Sequence, residues 1–253
     1  MMDHSIKEIR ETEQIARSQR LGFRHLLRVE ESKAGSSAAI MVVRRMKAAA
    51  ETGDALRLPG ETLAFVGVKP GMVVAELFPA GGYYTRTISD VVGPKGKVYG
   101  IENAKWDKGE DAKMAAEPGH ANVSIQLVKF GEFNLPQKVD LFWTTQNYHD
   151  LHVAEYGNLD IAAFNKHVYD ALKPGGIYFI LDHQANPGTN DAQIAKVHRI
   201  EKSQVIREVT AAGFKLVGEG NALHRPADDH TKMSSDPAIK GHTDQFMLKF
   251  QKV

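Results

Sequence analysis

The 253-residue chain contains no cysteine. Disulfides, thiolate nucleophiles and Cys-ligated zinc are thereby excluded. Net charge is almost absent as well. Against 32 Lys and Arg stand 31 Asp and Glu, which leaves +1 with His neutral. No global field therefore draws in nucleic acid or an anionic membrane. No uninterrupted apolar run reaches the length of a bilayer span. The opening "MMDHSIKEIRETEQ" lacks the basic start and apolar stretch of a secretory signal, so a cytoplasmic location is expected. Repeats at solenoid spacing are missing. So are the two common nucleotide signatures, G-x-G-x-x-G and G-x-x-x-x-G-K-[ST].

What is present is an ordinary globular balance, 42% hydrophobic and 25% charged. That suits one large domain, or one domain with an arm. Residues 1–58 read as the arm. They are dense in charge, with Ile6, Ile9, Ile15, Leu21, Leu26 and Leu27 at amphipathic spacing, and "AAIMVVRRMKAAAE" reads as a further helix. Such an arm serves as a helical cover, a homodimer contact or a lid.

Residues 59–253 alternate between apolar strands and amphipathic helices. The strands are "VVAELF", "KVYGIE", "VSIQLVKF", "VDLFWTTQ", "IYFILDH", "FKLVGEGNAL" and "DQFMLKFQKV". Helices between strands imply right-handed crossovers and a largely parallel sheet. No helix separates the last two strands. They should pair antiparallel, the final strand entering beside a neighbour, which makes a seven-stranded sheet rather than six parallel strands.

Ligands of open α/β sheets sit outside the carboxyl ends of the strands, so those ends are the candidate site. The first strand runs into Glu76-Leu77-Phe78-Pro79-Ala80-Gly81-Gly82-Tyr83-Tyr84-Thr85. A carboxylate at Glu76 is costly to bury without a partner, and adjacent glycines let backbone approach a ligand. A tight strand-to-helix turn would use the same residues. Glu102 ends the second strand twenty residues beyond Gly82, where an acid can accept both hydroxyls of a ribose. A salt-bridged acid is the alternative. After the third strand, Phe130 and Phe133 could flank an adenine and Glu132 could accept from its amino group, although aromatics there are as readily core.

The fourth strand ends in the densest polar cluster: Gln146, Asn147, Tyr148, His149, Asp150 and His152. His149 with Asp150 could be a general base and its orienting acid. His149 and His152 could instead ligate a metal with Asp182 or His183, or His149 could be a satisfied histidine. Asp182 and His183 end the fifth strand at the same edge. The loop "LHRPADDHTKMSSDPAIKGHTDQF" has no recognised metal-ligand spacing, so no metal site is read from it, but its length suits a substrate cover.

In this order, "VVAELFPAGGYYTR", "VYGIEN", "VDLFWTTQNYHD", "ALKPGGIYFILDH" and the closing strand pair resemble class I S-adenosylmethionine-dependent methyltransferases over residues 60–253. More narrowly, "GGYYTR", "GPKGKVYGIE", "NYHDLH", "LKPGG", "LDH", "HRIE" and "DQFMLKF" are similar to a bacterial group labelled only as predicted methyltransferases. The resemblance implies S-adenosyl-L-methionine as cofactor. It puts Glu76, Phe78, Pro79, Ala80, Gly81, Gly82, Tyr83 and Thr85 around the methionine end. It puts Glu102 and Asn103 at the ribose, Phe130, Gly131 and Glu132 at the adenine, and Gln146 and Asn147 near the methyl group. His149, Asp150, His183 and Tyr84 are the expected catalytic residues, with His149 as proton acceptor. Phe78 stands where the family has its first glycine, and Ala80 where it has the second. "NYHD" lacks the prolines of the amino-methylating members, and the charge disfavours nucleic acid, so a small-molecule acceptor is expected.

Overall fold

The computed structural model describes residues 54–253, which belong to one compact unit. The arm expected over residues 1–58 lies outside the described residues except for 54–58. That end is joined to the body. Helix α1 (Asp54–Arg57) offers the carbonyl of Arg57 to Tyr84 Oη at 3.1 Å and that of Leu56 to Arg225 Nη2 at 2.6 Å.

Helix α2 (Pro59–Val66) begins with a proline, whose missing N–H is of no consequence in a first turn. The core sheet then follows: β1 (Val73–Leu77), α3 (Tyr83–Val92), β2 (Lys97–Asn103), α4 (Glu110–Ala115), β3 (Val123–Val128) and β4 (Val139–Thr145). A 3₁₀ turn covers His149–His152. Helix α5 (Ile161–Ala171), β5 (Leu172–His183), α6 (Asp191–Val197), α7 (Lys202–Ala211), β6 (Phe214–Gly220) and β7 (Gln245–Lys252) complete the chain.

The strand order is β3-β2-β1-β4-β5-β7-β6. Pairings are parallel from β3 to β5, and β7 enters antiparallel between β5 and β6. The expected seven-stranded, mostly parallel sheet with an antiparallel closing strand is therefore what forms. Its centre reads as apolar runs because both faces are covered. Phe142, Trp143, Tyr178, Phe179, Leu248 and Phe250 are fully buried. On α3, Tyr84, Ile88 and Val92 recur every fourth residue and all turn into the core.

Local chemistry sets the helix starts. Asp160 caps α5 by accepting from Ala163 N at 3.0 Å. Asn190 and Gln193 form a reciprocal capping box on α6. Two helices follow β5, broken at His198, which adopts a left-handed conformation (φ 50°, ψ 57°). The segment "LKPGG" lies inside β5 as an irregularity. Val139 pairs with Leu172 and Leu141 with Ile177, and Gly175 there has φ 74°.

The long loop between β6 and β7 is pinned by buried charge. Arg199, fully buried, holds Asp228 through both terminal nitrogens at 2.8 and 3.2 Å, and its Nε donates to Lys232 O. Asp228 Oδ2 in turn accepts Asp244 N at 2.7 Å. Asp244 accepts Arg225 N at 2.7 Å and bonds His224 and His230.

Candidate active site

The order reverses between β1 and β4, the place where open α/β sheets bind ligands. A cleft of about 150 Å³ opens there. It is lined by Arg57, Glu76, Phe78, Pro79, Ala80, Tyr83, Tyr84, Thr145, Gln146, Asn147 and Gln245. Eight of the residues singled out in the sequence thus share one surface. Arg57 and Gln245 were not among them. Arg57 comes from α1 and lies 4.2 Å over the Tyr83 ring. Gln245 comes from the antiparallel β7 and accepts from Gln146 Nε2 at 3.0 Å.

The first turn is wound tightly. Phe78, Ala80, Gly81 and Gly82 all have positive φ, between 49° and 84°. Only glycine fits the last position, since a Cβ on Gly82 would stand 2.8 Å from Met114. Carboxylates from two other elements brace the turn. Glu102 Oε2 accepts Ala80 N at 3.3 Å, and Asp111 Oδ1 accepts Gly81 N at 2.8 Å. Thr85 Oγ1 donates to Glu76 Oε2 at 2.5 Å.

Three acids therefore converge below the turn, and this governs the protonation of Glu76 and Glu102. Burial raises Glu76 to about 8, with Asp111 and Glu102 adding to it and the Thr85 hydrogen bond opposing. Burial and the hydrogen bond with Asp111 raise Glu102 to about 7, against the Asn103 and Ala80 backbone donors. A cleft whose one lining acid, Glu76, holds its proton this tightly suits a cationic ligand, which would ionise it.

Phe78 turns its ring away from the turn. It stacks on Phe130 with centroids 5.3 Å apart and meets Trp106 edge-on at 5.2 Å. Tyr156 closes the group at 4.8 Å from Trp106. Trp106 and Tyr156 were not anticipated. Phe133 instead packs inward on Phe142 at 5.2 Å. Gly131 (φ 75°) faces Leu159, which a Cβ would meet at 2.4 Å. Glu132 is exposed, and Asn103 is buried, its Oδ1 accepting Lys105 N at 3.0 Å.

Asn147 ties two strand ends together. Its Nδ2 lies 3.3, 3.2 and 2.8 Å from the carbonyls of Leu77, Phe78 and Thr145. Gln146 (φ 57°) projects from the same bend.

Beyond that bend lies a second polar cluster. His149 is buried, with Nδ1 2.7 Å from Asp182 Oδ1 and its backbone N donating to Asp182 Oδ2 at 2.8 Å. Nε2 lies 3.2 Å from Asp150 Oδ1 and 3.3 Å from His198 Nδ1. Burial alone would lower His149, but Asp182 and Asp150 overcome it and hold the ring at about 10. Burial would raise Asp150, yet His149 and His198 pull it down to about 2. In this arrangement His149 is the imidazolium at neutral pH, and it takes a proton from a substrate only after losing one of its own.

His183 is packed near it, with ring centroids 5.9 Å apart. Burial keeps its ring neutral, with a pKa lowered to about 3, and Nδ1 lies 2.9 Å from Thr243 Oγ1. Gln245 Nε2 donates to the same hydroxyl at 3.1 Å, so hydrogen bonds run from the cleft wall to His183. His152 bonds Asp191 and Glu208 instead and stands apart from this group.

The fold is that of class I S-adenosylmethionine-dependent methyltransferases. The chain is similar to an S-adenosylmethionine-dependent methyltransferase from Aquifex aeolicus (TM-score 0.56, 19% identity, 77% of this chain and 89% of that one). It is also similar to the [4+2]-cyclase SpnF (TM-score 0.59, 17% identity, 78% and 80%). A third likeness is to Aeropyrum pernix fibrillarin, solved with natively bound S-adenosyl-L-methionine (TM-score 0.51, 18% identity, 78% and 76%). At these identities the likeness establishes the fold. No protein-family model and no curated protein matches the sequence. Among the described residues no helix is long and apolar enough to cross a membrane.

Proposed function

We propose that the chain binds S-adenosylmethionine in the cleft between β1 and β4 and transfers its methyl group to a small-molecule acceptor. The observation that carries this is Glu76, a buried carboxyl held protonated beside a wound turn at the switch point. The ammonium of the cofactor's amino-acid end is the cation this acid lacks. Glu102, at the tip of β2, would take the ribose hydroxyls by giving up its bond to Ala80 N. The aromatic group of Phe78, Trp106 and Phe130 supplies a face for the adenine. The donor's sulfonium adds positive charge beside three acids, which favours its capture.

Methyl transfer is an in-line displacement. The acceptor atom attacks the methyl carbon, the carbon–sulfur bond breaks, and S-adenosylhomocysteine leaves. The protein's share is to hold donor and acceptor in near-attack geometry. Tyr84 and Gln146, which line the cleft, would take that role. Proton removal from the acceptor falls to the His149 cluster. Calorimetric titration with S-adenosylmethionine and S-adenosylhomocysteine tests the binding. Absence of binding by both would end the proposal.

A second reading keeps the cofactor and changes the reaction. Its support is that the same fold carries the name of a cyclase in one similar structure, while Phe78 and Ala80 alter the first turn here. Product analysis separates the two, since only methyl transfer yields S-adenosylhomocysteine.

A further inference from the structure

His149, Asp150 and His198 meet although 48 residues separate the last two. His149 and Asp150 come from the 3₁₀ turn after β4. His198 comes from the break between α6 and α7. The three donor atoms form a nearly equilateral triangle: His149 Nε2 to Asp150 Oδ1 is 3.2 Å, His198 Nδ1 to Asp150 Oδ1 is 3.1 Å, and His149 Nε2 to His198 Nδ1 is 3.3 Å. We propose that this triangle is a mononuclear site for a divalent transition ion of the zinc, iron or cobalt class.

The dimensions fit without rearrangement. With bonds of about 2.1 Å, an ion equidistant from the three atoms stands about 1 Å off their plane, with ligand–metal–ligand angles of about 100°. All three ligands then lie on one side of the ion, which leaves its remaining coordination positions for water or substrate, the arrangement of a two-histidine, one-carboxylate facial set. Two imidazole nitrogens select a transition ion over calcium or magnesium, which want oxygen.

Two further features point the same way. Asp182 takes His149 Nδ1 at 2.7 Å, which keeps a proton on Nδ1 and leaves Nε2 as the nitrogen that a metal would bind on displacing its proton. Asp182 also binds the backbone N of His149, so both the ring and its base are set by one buried carboxylate. His198 is held in a left-handed conformation that a histidine adopts at a cost of about 1 kcal/mol. That strain aims Nδ1 at the other two ligands. His198 and Asp150 keep part of their surface exposed, with side-chain accessibilities of 18% and 13%, so an ion can enter.

On the reading of this chain as a methyltransferase, a metal-bound hydroxide would remove the acceptor's proton where His149 Nε2 cannot. The metal site does not depend on that reading, and its test uses no cofactor. Untagged full-length protein is stripped with chelator and titrated with Co²⁺, followed by visible absorption and calorimetry. One equivalent should bind with ligand-field bands, and Zn²⁺ should displace it. His198→Asn tolerates the left-handed backbone but removes the imidazole, and should weaken Co²⁺ at least 100-fold, as should Asp150→Asn. Asp182→Asn should weaken it 10- to 100-fold, the usual effect of losing such a support. Each variant's fold is checked by its unfolding transition. Failure of the wild-type chain to bind one saturable equivalent, or equal affinity in a folded His198→Asn or Asp150→Asn protein, overturns the proposal. Loss of S-adenosylmethionine binding alone leaves it standing.

Discussion

Replacing Glu76 by Gln should stabilise the ligand-free protein and weaken its hold on S-adenosylmethionine, and both effects should grow between pH 6 and pH 7. In the folded protein Glu76 keeps its proton up to about 8, against an ordinary value of 4.5. The folded state therefore binds more protons than the unfolded chain between those limits, and stability falls as pH rises through them. Above about pH 8 the full penalty is on the order of 5 kcal/mol, at 1.36 kcal/mol for each tenfold change. A glutamine at 76 can still accept the Thr85 hydroxyl and has no charge to bury. The gap in unfolding free energy between the variant and wild type should be small at pH 5 and widen by several kcal/mol at pH 9. Urea denaturation at three pH values reads it. Cofactor binding runs the other way. If the ammonium pairs with ionised Glu76, wild-type affinity should rise about tenfold between pH 6 and pH 7, below the range where the ligand's own α-amino group titrates, while the variant's stays flat. Parallel stability curves for the two proteins would refute the burial argument. A flat wild-type affinity would refute the ion pair.

The remaining predictions are shorter. Gly82→Ala sets a methyl group 2.8 Å from Met114 at φ 80°, so it should lower stability by about 1–3 kcal/mol and cost cofactor affinity more than tenfold; thermal unfolding and calorimetry check this. Glu102→Ala should weaken S-adenosylhomocysteine tenfold or more and leave methionine affinity unchanged, and competition binding separates the two ligands. Arg199→Met strands the buried Asp228 carboxylate, and the loss should be about 3–5 kcal/mol by denaturant titration. The Co²⁺ titration above completes the set.

Much of the architecture was legible from pattern. Strands buried on both faces read as apolar runs, and the missing helix between "FKLVGEGNAL" and "DQFMLKFQKV" was enough to place β7 antiparallel. Strand ends were legible too, and they put Glu76, the 78–82 turn, Gln146 and Asn147 at one edge. Their individual tasks were harder to read. Asn147, expected beside the cofactor, spends its amide on the carbonyls of Leu77, Phe78 and Thr145. Phe78 lies within the turn, but that its ring joins Trp106 and Phe130 was not legible.

Sequence alone thus determined the alternation of elements, the strand types and the placing of acids at strand ends, because each follows from local periodicity and spacing. Tertiary structure decided which distant side chains meet. His198 sits in "KVHRIEK", a stretch with no pattern beyond an interrupted helix, and nothing local joins it to His149 and Asp150. Arg57 reaches the cleft only because α1 lies beside α3, and Gln245 only because β7 inserts at β5. Protonation was likewise a tertiary outcome. The same residue types carry ordinary values in water, and it is shared burial that lifts Glu76 and Glu102, and paired carboxylates that lift His149.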